Sequence, residues 1–253
     1  MRRRARRPSL AVAAAALLVC AAPRLAAADS AAMAVALVEA MEKAYAPIAS
    51  YTARFVRQEW IGGALRPPEE VALKWQRPGH VYMRWIAGPP TGREIIFVPG
   101  RDDGNVLIHE PGMLTRLVTV VTAPGSADVM KQSRHPITDV GFGHLIDLIG
   151  ETVRRAVRRG ELTVVEHERV ASSGRTLEVR LPRDPRQGYY CYRAVVTVDD
   201  ETRLPVAVAV YDWDDRLVER YEYRDLVLGA PLSAADFDPA NPAYGFPTWR
   251  IKR

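Results

Sequence analysis

Apolar and polar residues alternate with period two through Val71 to Trp85, VALKWQRPGHVYMRW, on both sides of the turn Arg77-Pro78-Gly79-His80. That period puts Val71, Leu73 and Trp75 on one face of a strand and Val81, Met83 and Trp85 on the matching face of its partner, while Lys74 and Arg84 take the other face. One apolar and one wet face predicts an antiparallel hairpin rather than a buried parallel sheet. Similar runs predict strands over Tyr51 to Trp60, Glu94 to Val98, Asn105 to Glu110 and Met113 to Val121, separated by Gly62-Gly63 and the turn PGRDDG.

Elsewhere the period lengthens. Met33, Leu37, Met41, Ala44 and Ile48 recur at helical spacing, with Ser30 as a cap and Pro47 near the end, so Ser30 to Ile48 is expected to be a helix. Between Pro124 and Gly160 the pattern predicts a short helix over Ser126 to Arg134, a turn at HPITDVG, and an amphipathic helix over Phe142 to Arg159. Phe142, Ile146, Ile149, Val153 and Ala156 form its apolar side and Gly160 its C-terminal cap. Strands then resume at Leu162 to Ala171, Arg175 to Leu181, Tyr189 to Val198, Pro205 to Trp213 and Arg216 to Leu228. The aromatic tail SAADFDPANPAYGFP is expected to pack back over an edge or rim.

About eleven antiparallel strands in two blocks tend to curl, and apolar helices must bury their stripes against the open face. The expected fold is therefore α+β: a curved antiparallel sheet forming an unclosed half-barrel under a helical lid. It is expected to be one domain over residues 29–253, with the helical insertion at about 124–160.

The first 28 residues read as an export signal. Arg2, Arg3, Arg4, Arg6 and Arg7 precede an apolar run from Leu10 to Ala22, and Ala26-Ala27-Ala28 supplies a small-residue cleavage site. The expected destination is the periplasm; Arg6-Arg7 also suits the twin-arginine route. Val19 stands where a lipidation motif has a small residue before its cysteine, so Cys20 is not read as an anchor. Losing the leader removes six arginines from 35 basic residues, leaving 29 against 30 acidic ones. The basic whole-chain balance thus gives no reason to expect nucleic acid. Cys191 becomes the only cysteine, which excludes an intramolecular disulfide.

With the strands placed, the segments Arg54-Phe55, Gln58, KWQRPGHVYMRW and GREIIFVPGRDDGNVLIHE resemble the start of the periplasmic lipoprotein carriers, the LolA/LolB-like superfamily. RHPITDVGFG and DFDPANPAYGF are closer to an uncharacterised family of exported bacterial domains related to those carriers. The resemblance implies a half-barrel whose concave apolar face accommodates acyl chains. It also implies that Arg77, matching the carriers' arginine before the hairpin proline, hydrogen-bonds to the lid and latches it. The Arg-rich helix and RHPITDVGFG depart from the carriers' pattern.

On this reading Val71, Leu73, Trp75, Val81, Met83 and Trp85 line an apolar cavity, with Tyr190 and Tyr192 at its rim. Packing beneath the helices would use the same six residues. Tyr221 and Tyr223 also suit a rim. Arg154, Arg155, Arg158 and Arg159 could meet anionic head groups, or simply complement the helix C-terminus, with Glu151 pairing Arg155.

The chain lacks HExxH, a nucleophile elbow and a P-loop. Catalysis would have to use His109, Glu110, His135, Asp139 or His144, and Pro136 prevents His135 and Asp139 from sharing a regular helix face. Thr138 or Asp139 could instead cap the following helix. The expected function is non-enzymatic and cofactor-free: a monomeric carrier of lipid, lipoprotein acyl chain or another apolar envelope molecule. An envelope sensor acting on a membrane-protein partner is the alternative, and a metal-dependent hydrolase at His135 and His144 the remote one.

Overall fold

A computed structural model describes residues 22–113, 117–167 and 174–252. Most of the expected leader lies outside these residues, as do parts of the expected strands Met113 to Val121 and Leu162 to Ala171. The chain runs α1 (Ala22–Tyr45), β1 (Ser50–Ile61), β2 (Ala64–Leu65), β3 (Glu69–Gln76), β4 (His80–Ala87), β5 (Glu94–Phe97), β6 (Val106–His109) and β7 (Thr119–Thr122). The short α2 (Ala127–Met130) and long α3 (Phe142–Arg159) follow. Then come β8 (Thr163–Glu166), β9 (Arg175–Arg180), β10 (Arg193–Val198), β11 (Pro205–Tyr211), β12 (Leu217–Leu228) and β13 (Arg250–Lys252). Among the described residues, no helix is long and apolar enough to cross a membrane.

All these strands join one open sheet in the order β13-β7-β6-β5-β4-β3-β1-β12-β11-β10-β9-β8, with β2 on β1. The two sequence blocks become one sheet where β1 pairs with β12, Phe55 opposite Tyr223, Arg57 opposite Tyr221 and Glu59 opposite Glu219. Among the described residues, only β13 on β7 is parallel. The two ends do not meet, so the sheet is an unclosed antiparallel half-barrel with helices against its concave face.

The hairpin forms as the alternation predicts: Val71 opposes Trp85, Leu73 opposes Met83, and Trp75 opposes Val81. These six side chains are buried with Tyr51, Phe55 and Phe142 in the main core. Helix α1 contributes Ala34, Val38 and Met41, one face at helical spacing, and packs on α3. The crossing is close at Gly150, where a Cβ would come within 3.0 Å of Val38 Cγ1 and 3.2 Å of Glu42 Oε1.

The opposite face of this half of the sheet is not wet, as the Lys74 and Arg84 positions suggested. Tyr82, Ile96, Val98, Leu107 and Val121 form a second core there with Phe237, flanked by Leu232, Tyr244 and Phe246. The tail thus covers the convex face, where Tyr244 stacks on Tyr82 with ring centroids 4.0 Å apart. Lys74 is drawn into the joint, donating to Asp236 at 2.7 Å and to the Tyr244 hydroxyl at 3.1 Å.

The expected strand at Tyr189 begins only at Arg193. Tyr189 and Cys191 are buried, and Tyr190 between them also faces the interior. A regular pleat cannot turn three successive side chains to one side, so this segment leaves strand geometry.

Candidate functional site

The concave surface is filled unevenly. Under the hairpin, Tyr51 stacks on Trp75 at 5.2 Å and meets Phe142 at 5.0 Å, while Phe142 lies 4.2 Å from Tyr223. Across β9, β10 and β11 the inward positions hold smaller groups: Val179, Ala194, Val196, Val208 and Val210. Between them and Leu145, Leu148, Ile149 and Val153 of α3 lies a cavity of about 120 Å³. Its walls are mostly aliphatic or aromatic, and its ionisable side chains are chiefly Arg57, Glu59, His135, Asp139, His144 and Glu219.

Of the eight residues expected to line a cavity, Met83 and Tyr190 do so. Val71, Leu73, Trp75 and Val81 pack in the solid core beside it. Trp85 donates from Nε1 to Glu69 at 2.7 Å and borders a separate groove with Ile95, Ile108 and Val120. Tyr192 is half-buried beneath the Arg183 guanidinium, 5.0 Å from its ring centroid. Large side chains fill space, and the cavity opens where they give way to small ones.

Arg77 sits at the C-terminus of α1. Its Nε donates to the Ile48 carbonyl at 2.7 Å, its Nη2 to those of Ala46 and Tyr45 at 3.1 and 3.2 Å, and the guanidinium covers the Tyr45 ring. Such carbonyls have no partner within the helix, so the planar fork satisfies several together. Helix α3 is held by Arg154, which pairs with Glu42 of α1 at 2.5 Å, and by Arg155, which donates to the Gln187 and Gly188 carbonyls. Two members of the basic stripe are therefore occupied structurally, and Arg155 reaches these carbonyls rather than depending on Glu151.

The buried ionic part of the wall was not foreseen. Arg57 and Glu59 stand in phase with inward Phe55, and Glu219 in phase with Tyr221 and Tyr223, so their side chains enter the barrel. Arg54, on the same strand as Arg57, points outward to Glu70 and Asp225. Glu59 is 3% exposed and Glu219 1%. Glu59 accepts from Arg57 Nη2 at 2.7 Å, from the Tyr221 hydroxyl at 2.6 Å and from the Arg134 backbone N–H at 3.0 Å. Glu219 accepts from Arg134 and the Tyr190 hydroxyl, with His135 Nε2 at 3.4 Å. Each buried carboxylate is thus surrounded by donors, which such burial demands. The legible signal was a charge in phase with buried aromatics on neighbouring strands.

Burial works to raise the Glu219 carboxyl, but the bonds and charges of His135, Tyr190 and Arg134 more than offset it and hold it below its ordinary range. Burial and the neighbouring carboxylates push the Tyr190 and Tyr221 hydroxyls well up, so both stay neutral donors. Burial, helped by Glu219, also raises the Cys191 thiol to about 12. A thiol held there stays protonated near neutral pH.

Beside this network His135 Nδ1 lies 3.6 Å from Asp139, and His144 Nε2 lies 3.7 Å from the same carboxylate oxygen. Pro136 does not separate His135 from Asp139, because a 3-10 turn over Ile137–Asp139 brings them together without a regular helix. Nor do Thr138 and Asp139 cap α3: its N-cap is Gly141, with no side-chain cap bond. Gly141 has φ +122°, and a Cβ there would meet the Tyr51 hydroxyl at 2.8 Å and Trp75 Nε1 at 2.9 Å. His109 is buried on β6 against Phe246, and Glu110 is paired with Arg93, both far in sequence and outside the cavity lining.

Fold and site together define an open antiparallel half-barrel that encloses an apolar cavity beneath a helix, with a buried ionic network in its wall. The chain belongs to the family described as protein of unknown function (DUF1571), whose model matches residues 48–246. No curated protein matches it. Among solved structures it is similar to the lipoprotein LppX of Mycobacterium tuberculosis, with 12% identity over 82% of this chain and 99% of that one, and a TM-score of 0.48. It is similar to the Pseudomonas aeruginosa MucA/MucB complex at 18% identity, covering 81% of this chain and 60% of that one, TM-score 0.43. A LolA superfamily protein from Nitrosomonas europaea is 10% identical over 81% and 97%, TM-score 0.34.

Proposed function

We propose that the protein binds a lipid, a lipoprotein acyl chain or another apolar envelope molecule in the cavity under α3, and carries or presents it without chemical change. The observation that carries this reading is the cavity itself, walled by aliphatic side chains of α3 and of β9 to β11. Enclosing a chain there gains about 0.8 kcal/mol per buried CH₂. At roughly 10–15 Å³ per water-sized sphere, the present volume of about 120 Å³ admits a short chain segment. A longer chain requires α3 to move outward from the sheet. Arg77 acts in this reading as a latch on α1, against which α3 packs. Export through the leader would place the protein in the periplasm, where such molecules are trafficked.

Native mass spectrometry of protein purified from the periplasm tests the reading. A stoichiometric adduct released by organic extraction is expected, and a ligand-free protein that also fails to take up fatty acid contradicts it. The sensor alternative is favoured by one feature: Leu117, Trp249 and Ile251 are exposed along the β7–β13 edge. It predicts a membrane protein crosslinked at that edge.

A further inference from the structure

We propose that His135, Asp139 and His144 form a binding site for a divalent transition-metal ion of the zinc class, opening onto the apolar cavity. This goes beyond ligand carriage and stands or falls separately from it. One ligand atom from each residue lies within 4.8 Å of the others, and the two contacts to Asp139 Oδ2 are 3.6 and 3.7 Å. Metal–ligand bonds of 2.0–2.1 Å in a tetrahedron separate ligand atoms by about 3.4 Å. The contraction required at Asp139 is a few tenths of an ångström. The wider gap between the imidazoles closes by rotation of His144, which is 44% exposed in the first turn of α3.

The surroundings orient each ligand. Tyr190 donates its hydroxyl proton to Glu219, so its oxygen accepts from His135 Nε2–H at 2.9 Å. With Nε2 carrying that proton, Nδ1, the nitrogen facing Asp139, is the one that offers a lone pair to a metal once the ring is neutral. A histidine whose second nitrogen is fixed by a polar partner backed by a buried carboxylate is the outer-shell arrangement of metal-binding imidazoles. Asp139 is braced likewise: Thr138 donates to Oδ1 at 3.1 Å, leaving Oδ2 for both histidines. Arg134, the nearest cation in sequence, is committed to Glu219. Two imidazoles and one carboxylate leave exchangeable positions on zinc, and all three residues line the cavity, so those positions face its contents.

The test uses the purified chain stripped with a chelator and then dialysed. Calorimetric titration with Zn²⁺ is expected to show one equivalent bound, and Co²⁺ to give the intense visible bands of a four-coordinate site. His144→Ala and Asp139→Asn, both at partly exposed positions, should retain the wild-type circular dichroism and lose roughly tenfold or more in affinity, as should Glu219→Gln through His135. No saturable binding by either metal, or equal affinity in wild type and folded His144→Ala, overturns the proposal.

Discussion

The two halves of the sheet use the same alternation to opposite ends. From β3 to β4 the inward positions carry Leu73, Trp75, Met83 and Trp85, and the concave space is filled; from β9 to β11 they carry valine and alanine, and space remains beneath α3. The convex faces differ as well, since the first half is sealed by the tail through Phe237 and Tyr244. At β3 and β4 the sheet is covered on both faces, whereas β9 to β11 border the chamber. Side-chain volume on inward positions, rather than their hydrophobicity, decides which is which.

The largest break in that contrast comes from emptying the wall. Trp75→Ala removes a side chain 5% exposed and stacked on Tyr51, and should cost about 3–5 kcal/mol in urea unfolding. Removing the Arg77 guanidinium leaves the Tyr45, Ala46 and Ile48 carbonyls without it. Arg77→Ala should lose about 1.5–3 kcal/mol, with faster amide exchange in α1 than in β3. If exchange rises uniformly, Arg77 is no latch.

Filling the chamber should have the reverse profile. Val208→Phe enters existing space, so stability should change by less than about 1.5 kcal/mol. Occupying the room of two or three methylenes should weaken fatty-acid binding roughly ten- to fifty-fold. The smallest effect concerns the tail. Lys74, then the Ser233 N–H, holds the Asp236 carboxyl below its ordinary value, so their stabilisation is present above about pH 4 and fades as pH falls through the folded-state value. Lys74→Met should cost about 0.5–1 kcal/mol at pH 7, and the difference from wild type should shrink below pH 4 in thermal melts.

Much of this architecture was legible from alternation: the hairpin register, the two strand blocks, the α3 stripe and the Gly160 cap all follow local rules. The β1–β12 pairing that unites the blocks is long-range, and nothing local specifies it. The chamber was misplaced onto the hairpin for a physical reason. Trp75 and Trp85 provide most of the apolar surface, but a large inward ring consumes the room it borders. Tyr190 was legible as polar-tipped, yet nothing local marks its partner Glu219, whose inward phase beside Tyr221 is set by β12. Lys74 was misleading in the same way, because the Asp236 and Tyr244 that dry its face lie over 160 positions away.

A photoactivatable fatty acid, crosslinked to the protein and mapped by peptide mass spectrometry, most directly tests whether the chamber holds the ligand. Adducts on α3 and on β9 to β11, competed away by unlabelled fatty acid and reduced in Val208→Phe, are the predicted result. Adducts confined to the exposed β7–β13 edge, or none that unlabelled fatty acid displaces, would contradict it.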